Sequence, residues 1–258
     1  MKSVRVGCVK YLNARPLIRG WPGTVEFDHP SALCQRLAKG HLDVALVSSF
    51  EFLRNPIYRI VDEVSISSNG PVYSVVVAHR GEFSKSEEIE LDPASETAVN
   101  LLRCLVGELG LTTRLTGVGS ESAGLSRARL IIGDQAIRFR QSHADAFQFW
   151  DLGEQWKKVT GLPFVYALWL IRPEVPNATS IAQRLRKLRN QNLAGISGVV
   201  ANAADNKQAI THGFLDRYYH EYLRFGFGNR EKKGLHCFAD LCAKHKVLPK
   251  RVCEFSLV

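Results

Sequence analysis

Apolar runs with the length of buried strands alternate with amphipathic runs of helical period along most of this 258-residue chain. The predicted strands span residues 4–9, 42–47, 58–65, 72–79, 89–91, 130–132 and 164–171. The predicted helices span residues 30–39, 49–53, 96–109, 179–190, 202–225 and 231–246. Strands that alternate with helices in this way are typical of α/β proteins, so we predict an α/β fold.

Two stretches of the chain divide these elements into two groups. One lies at residues 82–90, where polar side chains dominate, and the other lies at residues 171–177, where Pro173 and Pro176 interrupt the apolar pattern. We expect the chain to cross between two α/β lobes at these stretches. The first lobe then comprises residues 1–86 plus 174–258, with the C-terminal helices, and the second lobe comprises residues 87–173.

Polar residues follow several predicted strands at their carboxyl ends. They are Tyr11 and Asn13, then Ser48 and Ser49, then the loop 92–97, and then Gly133 and Asp134. In open α/β sheets, ligands bind beyond the carboxyl ends of the strands, where N–H groups of the following helices point at the ligand. The sequence therefore predicts a ligand cleft that Asn13 and its neighbours line.

Serines in these loops have two interpretations. Ser49 and Ser95 stand where helices are predicted to begin, so each is explained by capping alone or by contact with an anion. The turn around Gly70 and Pro71 presents Ser68 either to a ligand or to solvent, as an ordinary polar turn does. Several such loops on one rim favour a site for a small carboxylate, because hydroxyl and N–H groups suit that ligand.

The net charge of +9 indicates an anionic partner. The densest basic group, residues 184–189, alternates with leucine at helical spacing, which favours a solvated helix face over a nucleic-acid patch. An aromatic stripe also has helical spacing, which favours core packing over a platform for bases; it comprises Phe214, Tyr218, Tyr222 and Phe225. We therefore expect a small anion as the ligand and no nucleic acid.

The cysteine spacing and the motifs that are missing indicate which metals and cofactors to expect. The six cysteines form no CxxC pair, and the group around Cys237 and Cys242 fits no standard metal spacing, so we expect reduced thiols and no metal. Phosphate-binding and nucleotide-binding loops, the nucleophile elbow and the HExxH motif are missing, and we expect no cofactor. No secretory signal or membrane-length apolar run is visible, so we expect a cytoplasmic protein without a membrane partner.

Six segments of the chain carry a resemblance to a known family. They are VKYLNARPLIRGW, LDVALVSSFEFLR, ISSNGPVYSV, LDPASETAVNLLRCL, LIIGDQAI and DLGEQWKKVTGLPFVYALW, and they cover nearly the whole chain in the expected order. The chain resembles the menaquinone-biosynthesis enzymes of the futalosine pathway. Within that family it is most similar to the members that dehydrate chorismate to 3-[(1-carboxyvinyl)oxy]benzoate, which are carbon–oxygen lyases without a cofactor.

The resemblance implies a fold and a set of site residues. The fold is that of type II periplasmic binding proteins, with a ligand cleft between two α/β lobes. Asn13 is implied to act in catalysis. Implied substrate-binding residues are Tyr11, Arg15, Ser48, Ser49, Ser68, Gly70, Val72, Ser95, Thr97 and Asp134. The chain departs from the family pattern at Tyr73 and at Glu96, where the resemblance leads us to expect arginine, and at Ala98, where it leads us to expect serine.

Other functions fit parts of this pattern. A 1,4-dihydroxy-6-naphthoate synthase-like enzyme of the same pathway and a non-catalytic small-anion-binding protein both use this fold. A solute-binding protein would normally be exported, which argues against that class here. The sequence leaves open whether the protein is a monomer or a homodimer.

Overall fold

The computed structural model describes residues 4–92, 94–117, 128–203 and 210–258. Its strands are β1 Val6–Val9, β2 Val25–Asp28, β3 Val44–Ser48, β4 Arg59–Ser68, β5 Val75–His79, β6 Glu88–Glu90, β7 Arg114–Thr116, β8 Ala128–Ile132, β9 Gln148–Asp151 and β10 Phe164–Ile171. Its α-helices are α1 Arg15–Ile18, α2 Pro30–Ala38, α3 Ser49–Arg54, α4 Glu96–Glu108, α5 Gly133–Ser142, α6 Leu152–Thr160, α7 Ala178–Ala194, α8 Ile196–Ala201, α9 His212–Arg217 and α10 Asn229–Lys244. A 3₁₀ turn at Leu12–Ala14 and a π-helical turn at Tyr218–Tyr222 also bear on the site.

The strands form two separate mixed sheets, which confirms the predicted α/β architecture with two lobes. The first sheet has the order β2-β1-β3-β10-β4, and the second has the order β7-β6-β8-β5-β9. In each sheet one inserted strand runs antiparallel to both of its neighbours: β10 in the first sheet and β5 in the second. Every residue of β10 and of β5 is buried, which explains why both read as continuous apolar runs in the sequence.

The strand pairing differs from the predicted lobe boundaries. We placed residues 75–79 in the first lobe and residues 164–171 in the second, whereas β5 pairs within the second sheet and β10 within the first. The chain therefore crosses between the sheets at residues 69–74 and again through α6 and the loop before β10. The apolar pattern did not reveal this exchange, because a strand buried on both faces carries the same pattern in either sheet.

The C-terminal part also differs from prediction. We predicted one helix over residues 202–225, but the described part of that range contains α9 and the π-helical turn, and the chain is extended at Leu223 and Arg224. Arg224 exchanges backbone hydrogen bonds with Ser67 at the end of β4, and this pairing outcompetes helix continuation. Residues 204–209 of the predicted helix lie outside the described residues.

The remaining predicted helices and strands are observed within a few residues of their expected positions, and the aromatic stripe is core. Phe214, Tyr218 and Phe225 are buried. Elements that the pattern missed are β2, β7 and β9, together with helices α1, α5, α6 and α8. None of the helices within the described residues is long and apolar enough to cross a bilayer.

Candidate active site

A cleft lies between the two sheets, where β1, β3 and β8 end. It is lined from the first lobe by Val9, Tyr11, Asn13, Pro30, Ser48, Ile66, Tyr166 and Ala167, and from the crossing and second lobe by Val72, Ser74, Val75, Ser95, Thr97, Ala98, Ile132 and Gly133. None of these lining residues has an ionisable carboxylate, imidazole, ammonium or guanidinium group. The inner cleft therefore offers hydroxyl, amide and backbone groups on an apolar wall.

Thr97, in the first turn of α4, joins the two lobes across this cleft. Its Oγ1 forms a hydrogen bond with the Ser48 hydroxyl and accepts another from the Phe50 backbone N–H at 3.2 Å. A second connection lies nearby, where the Leu12 N–H donates to Asp134 Oδ1 at 2.9 Å. The structure therefore shows the lobes in contact at the cleft, so a ligand enters only when these hydrogen bonds open.

The amide of Asn13 faces this cleft. Asn13 belongs to the 3₁₀ turn that follows β1, and its Oδ1 is buried without a hydrogen-bond partner. An unsatisfied buried polar atom costs about 1–3 kcal/mol, so such atoms are rare unless a ligand or water completes them. The Asn13 amide is thus poised to bind a polar group in the cleft.

Two tyrosines of the first lobe, one that lines the cleft and one behind it, form hydrogen bonds with nearby serines. Ser68 Oγ donates to the Gly70 carbonyl at 2.9 Å, so the Tyr166 hydroxyl, 3.1 Å away, is the donor in its bond with Ser68. The Tyr166 oxygen then remains an acceptor toward the cleft. The Tyr218 hydroxyl donates to Ser74 Oγ at 2.7 Å, and the Ser74 hydroxyl donates in turn to the Val72 carbonyl at 3.5 Å.

Burial keeps the cleft tyrosines protonated at neutral pH. It raises the pKa of Tyr11 to about 12, with a further contribution from the negative charges of Asp92 and Asp134. It also raises the pKa of Tyr166 well above its ordinary value. These phenols therefore act as hydrogen-bonding groups and not as proton-abstracting bases.

The outer end of the cleft, on the far side of Tyr11, is charged. It is lined by residues of both lobes, including Lys10, His29, Asp92, Asp134 and Arg138. Burial raises the pKa of the Asp134 carboxyl, while the hydrogen bond from Leu12 opposes that shift. The cations at this entrance can attract an anionic ligand, although the two carboxylates reduce the net positive field.

A glycine permits the close packing of Tyr11 at the rim. Gly133 begins α5 with a φ of +60°, and a Cβ there would lie 2.9 Å from the Tyr11 ring. Any other residue would push the ring away from the cleft. Gly133 therefore provides the left-handed turn and the close approach to Tyr11. The next residue, Asp134, accepts the hydrogen bond from the Leu12 N–H.

The two residues that stand in place of expected arginines each contact an arginine from another position. Glu96 accepts a hydrogen bond from Arg54 of the first lobe at 2.6 Å. Tyr73 lies under Arg140, whose guanidinium carbon is 4.2 Å from the ring centroid. A positive group thus accompanies each substituted position, although neither arginine lines the inner cleft.

One group of potential metal ligands exists among the described residues: Cys34, Glu51 and Glu96. The Arg54 guanidinium binds both carboxylates and already supplies the positive charge there. Burial raises the pKa of the Cys34 thiol to about 12, so the thiol is protonated. This group is therefore an arginine–carboxylate cluster.

The structure separates the predicted site residues into three groups. Those that line the inner cleft are Tyr11, Asn13, Ser48, Val72, Ser95 and Thr97. Those that lie behind or beside it are Ser49, whose hydroxyl donates to the Val165 carbonyl, Ser68, Gly70 and Asp134. Arg15 is turned away and donates to the Asn202 carbonyl at 2.8 Å.

Sequence reasoning missed Ser74 and Tyr166 as lining residues. Tyr166 lies in the apolar run of β10 and Ser74 directly precedes β5, so both look like strand positions.

Ser95 lines the cleft and also caps α4, since its Oγ accepts from the Ala98 N–H at 3.2 Å. Its capping role leaves the N–H groups of the first turn directed at the cleft.

The architecture is shared with solved structures. A Candida albicans protein described as having the generic periplasmic binding protein fold matches with a TM-score of 0.65 and 11% identity, over 98% of this chain and 92% of that one. The alkanesulfonate-binding protein SsuA from Xanthomonas axonopodis pv. citri matches with a TM-score of 0.70 and 16% identity, over 97% and 95% of the two chains. The chain therefore has the periplasmic-binding-protein fold with its cleft between two lobes, as expected from the resemblance.

The amino-acid sequence identifies a particular family, which the fold alone does not. Residues 4–244 match the family described as menaquinone biosynthesis, and the chain belongs to that family. A curated relative, the chorismate dehydratase of Thermus thermophilus, is 28% identical over 260 residues, which cover 93% of this chain and 95% of the relative.

Proposed function

We propose that this protein is a chorismate dehydratase, a hydro-lyase that removes water from chorismate to give 3-[(1-carboxyvinyl)oxy]benzoate. The observation that carries the proposal is the buried Asn13 Oδ1, which has no hydrogen-bond partner, in a cleft lined by hydroxyl groups. Similarity to the Thermus thermophilus chorismate dehydratase over nearly the full length of both chains supports it.

The cleft suits the polar groups of chorismate. The substrate carries two carboxylates, a ring hydroxyl and an apolar ring face. Donors for a carboxylate come from the Ser48 and Thr97 hydroxyl groups and from the N-terminal turn of α4, whose dipole favours negative charge. The apolar wall, which includes Val72 and Ile132, packs against the ring.

The reaction needs a base but no change in oxidation state. The base removes the proton from ring C3, that C–H electron pair forms the new ring double bond, and the C4–O bond breaks. The departing hydroxide leaves as water with one proton, and the ring becomes aromatic. Catalysis of this kind depends on positioning and on fixed dipoles.

The substrate itself supplies the base in this proposal. Among the described residues that line the inner cleft, none carries a carboxylate or imidazole, and the tyrosines are protonated. The enolpyruvyl carboxylate of chorismate is an available base once it is held over the C3 proton. Asn13 orients it, because an amide donates to a carboxylate without protonating it, and the Asn13 oxygen accepts from the C4 hydroxyl.

Mass analysis of chorismate incubated with the protein tests the activity. We expect a product lighter than chorismate by one water, formed faster than the spontaneous rearrangement in a protein-free control. Chorismate that binds tightly but is recovered unchanged would instead identify a non-catalytic anion-binding protein. Chorismate that neither binds nor reacts would refute the proposal.

A further inference from the structure

The Asp151 carboxylate connects the two places where the chain crosses between lobes. Asp151 ends β9 and precedes α6, and it is 2% exposed. Its Oδ1 accepts from the N–H groups of Gly153 at 3.0 Å and Glu154 at 3.1 Å, at the start of the second crossing. The same carboxylate accepts from Val72 at 3.0 Å and Tyr73 at 2.8 Å, in the first crossing.

These hydrogen bonds do more than cap a helix. A cap is complete with the Gly153 and Glu154 bonds, whereas the Val72 and Tyr73 bonds hold a segment about 80 residues away in sequence. Tyr73 adopts a φ of +67°, a left-handed conformation that is unfavourable for a non-glycine residue. The hydrogen bond to Asp151 and the Arg140 guanidinium on the ring stabilise this conformation.

Gly153 completes the contact between the two crossings. A Cβ at Gly153 would lie 2.5 Å from the Gly70 carbonyl oxygen, 2.6 Å from the Tyr166 hydroxyl and 2.7 Å from Ser68 Oγ. The start of α6 therefore presses directly on the turn that precedes Val72. Of these residues, Val72 and Tyr166 line the inner cleft.

We infer that Asp151 is a positioning residue for the reaction: through Val72, Tyr73 and Gly153 it fixes the turn at residues 68–73 and thereby the cleft wall formed by Val72 and Tyr166. This inference rests on the proposed function. Asp151 touches no substrate, since four backbone N–H groups and Arg140, 3.6 Å away, surround its carboxylate. Its influence reaches the substrate through the wall that it fixes.

Two variants test the inference, one by removing a hydrogen-bond acceptor and the other by introducing a steric clash. Asp151→Asn replaces one acceptor oxygen by an NH₂ group that faces N–H donors, and Gly153→Ala drives a methyl group into the same turn. Displacing a cleft wall disturbs alignment, so we expect kcat for chorismate to fall roughly tenfold or more in both variants, with a smaller change in KM. Matched controls are Asp145→Asn, at an exposed position, and Gly213→Ala, where a Cβ would meet no atom within 4 Å.

Hydrogen exchange supplies a readout that is independent of activity. In Asp151→Asn the Val72 and Tyr73 amides should exchange roughly tenfold faster or more, while the amides of β10 keep their protection. Unchanged exchange at Val72 and Tyr73, or activity lost only in proportion to the unfolded fraction in thermal melts, would overturn the inference. Wild-type protein that is inert toward chorismate would refute the proposed function instead, and hydrogen exchange alone would then decide whether Asp151 fixes the turn.

Discussion

Replacing Thr97 by valine should weaken ligand binding more than it weakens the fold. The change keeps the shape of a side chain that is 2% exposed and removes its hydroxyl group. The Phe50 N–H and the Ser48 hydroxyl then lose their partner across the lobes. A buried donor left unsatisfied costs about 1–3 kcal/mol, and this cost falls mainly on the closed form, because the broken hydrogen bonds join the lobes.

The expected size follows from that cost. At about 1.4 kcal/mol per tenfold, a cost of about 1–3 kcal/mol weakens the Kd roughly 5- to 150-fold. Calorimetric titration with the product, 3-[(1-carboxyvinyl)oxy]benzoate, avoids turnover, and thermal unfolding reports the stability of the fold. Thr97→Ser keeps the hydroxyl and should bind nearly as well as wild type. A Thr97→Val protein that melts early but binds normally, or a Thr97→Ser protein that binds as poorly as Thr97→Val, would refute the reasoning.

Three further predictions concern the cleft and its rim. Ser95→Ala should lower the free energy of unfolding by about 1 kcal/mol through loss of the α4 cap, measured by urea unfolding, and an unchanged value would contradict that capping role. Because burial raises the folded-state pKa of Asp134, wild-type stability falls as pH rises from the ordinary aspartate pKa to the raised one. Asp134→Asn should lack this fall, so parallel stability–pH curves for the two proteins would disprove it. Solution scattering should show compaction on binding product, as expected of lobes that separate to admit ligand, and an unchanged radius of gyration would count against closure.

The sequence predicted the elements well where local pattern decides them. The loops after β1 and β3 lie together because the carboxyl ends of parallel strands meet at one edge of the first sheet, and the loop after β8 faces them from the second sheet. The exchange of β5 and β10 between lobes was not predictable, since it depends on which long-range strand pairing is more stable.

The same distinction applies to the site. Asn13, Ser48 and Thr97 follow strands or begin helices, so their positions carry a local signal. Tyr166 and Ser74 reach the cleft only through tertiary packing. Arg15 shows the converse case, because its neighbours in the motif line the cleft while its own long side chain turns to Asn202.

The most direct test of the account is the steady-state kinetics of Asn13→Ala with chorismate beside wild type and Asn190→Ala, a control on the exposed face of α7. If Asn13 aligns the substrate carboxylate over the C3 proton, kcat should fall roughly a hundredfold or more with a smaller change in affinity, because positioning supplies much of the barrier reduction. The control should retain wild-type kcat. Near-normal kcat in Asn13→Ala would remove Asn13 from the mechanism and contradict the central claim.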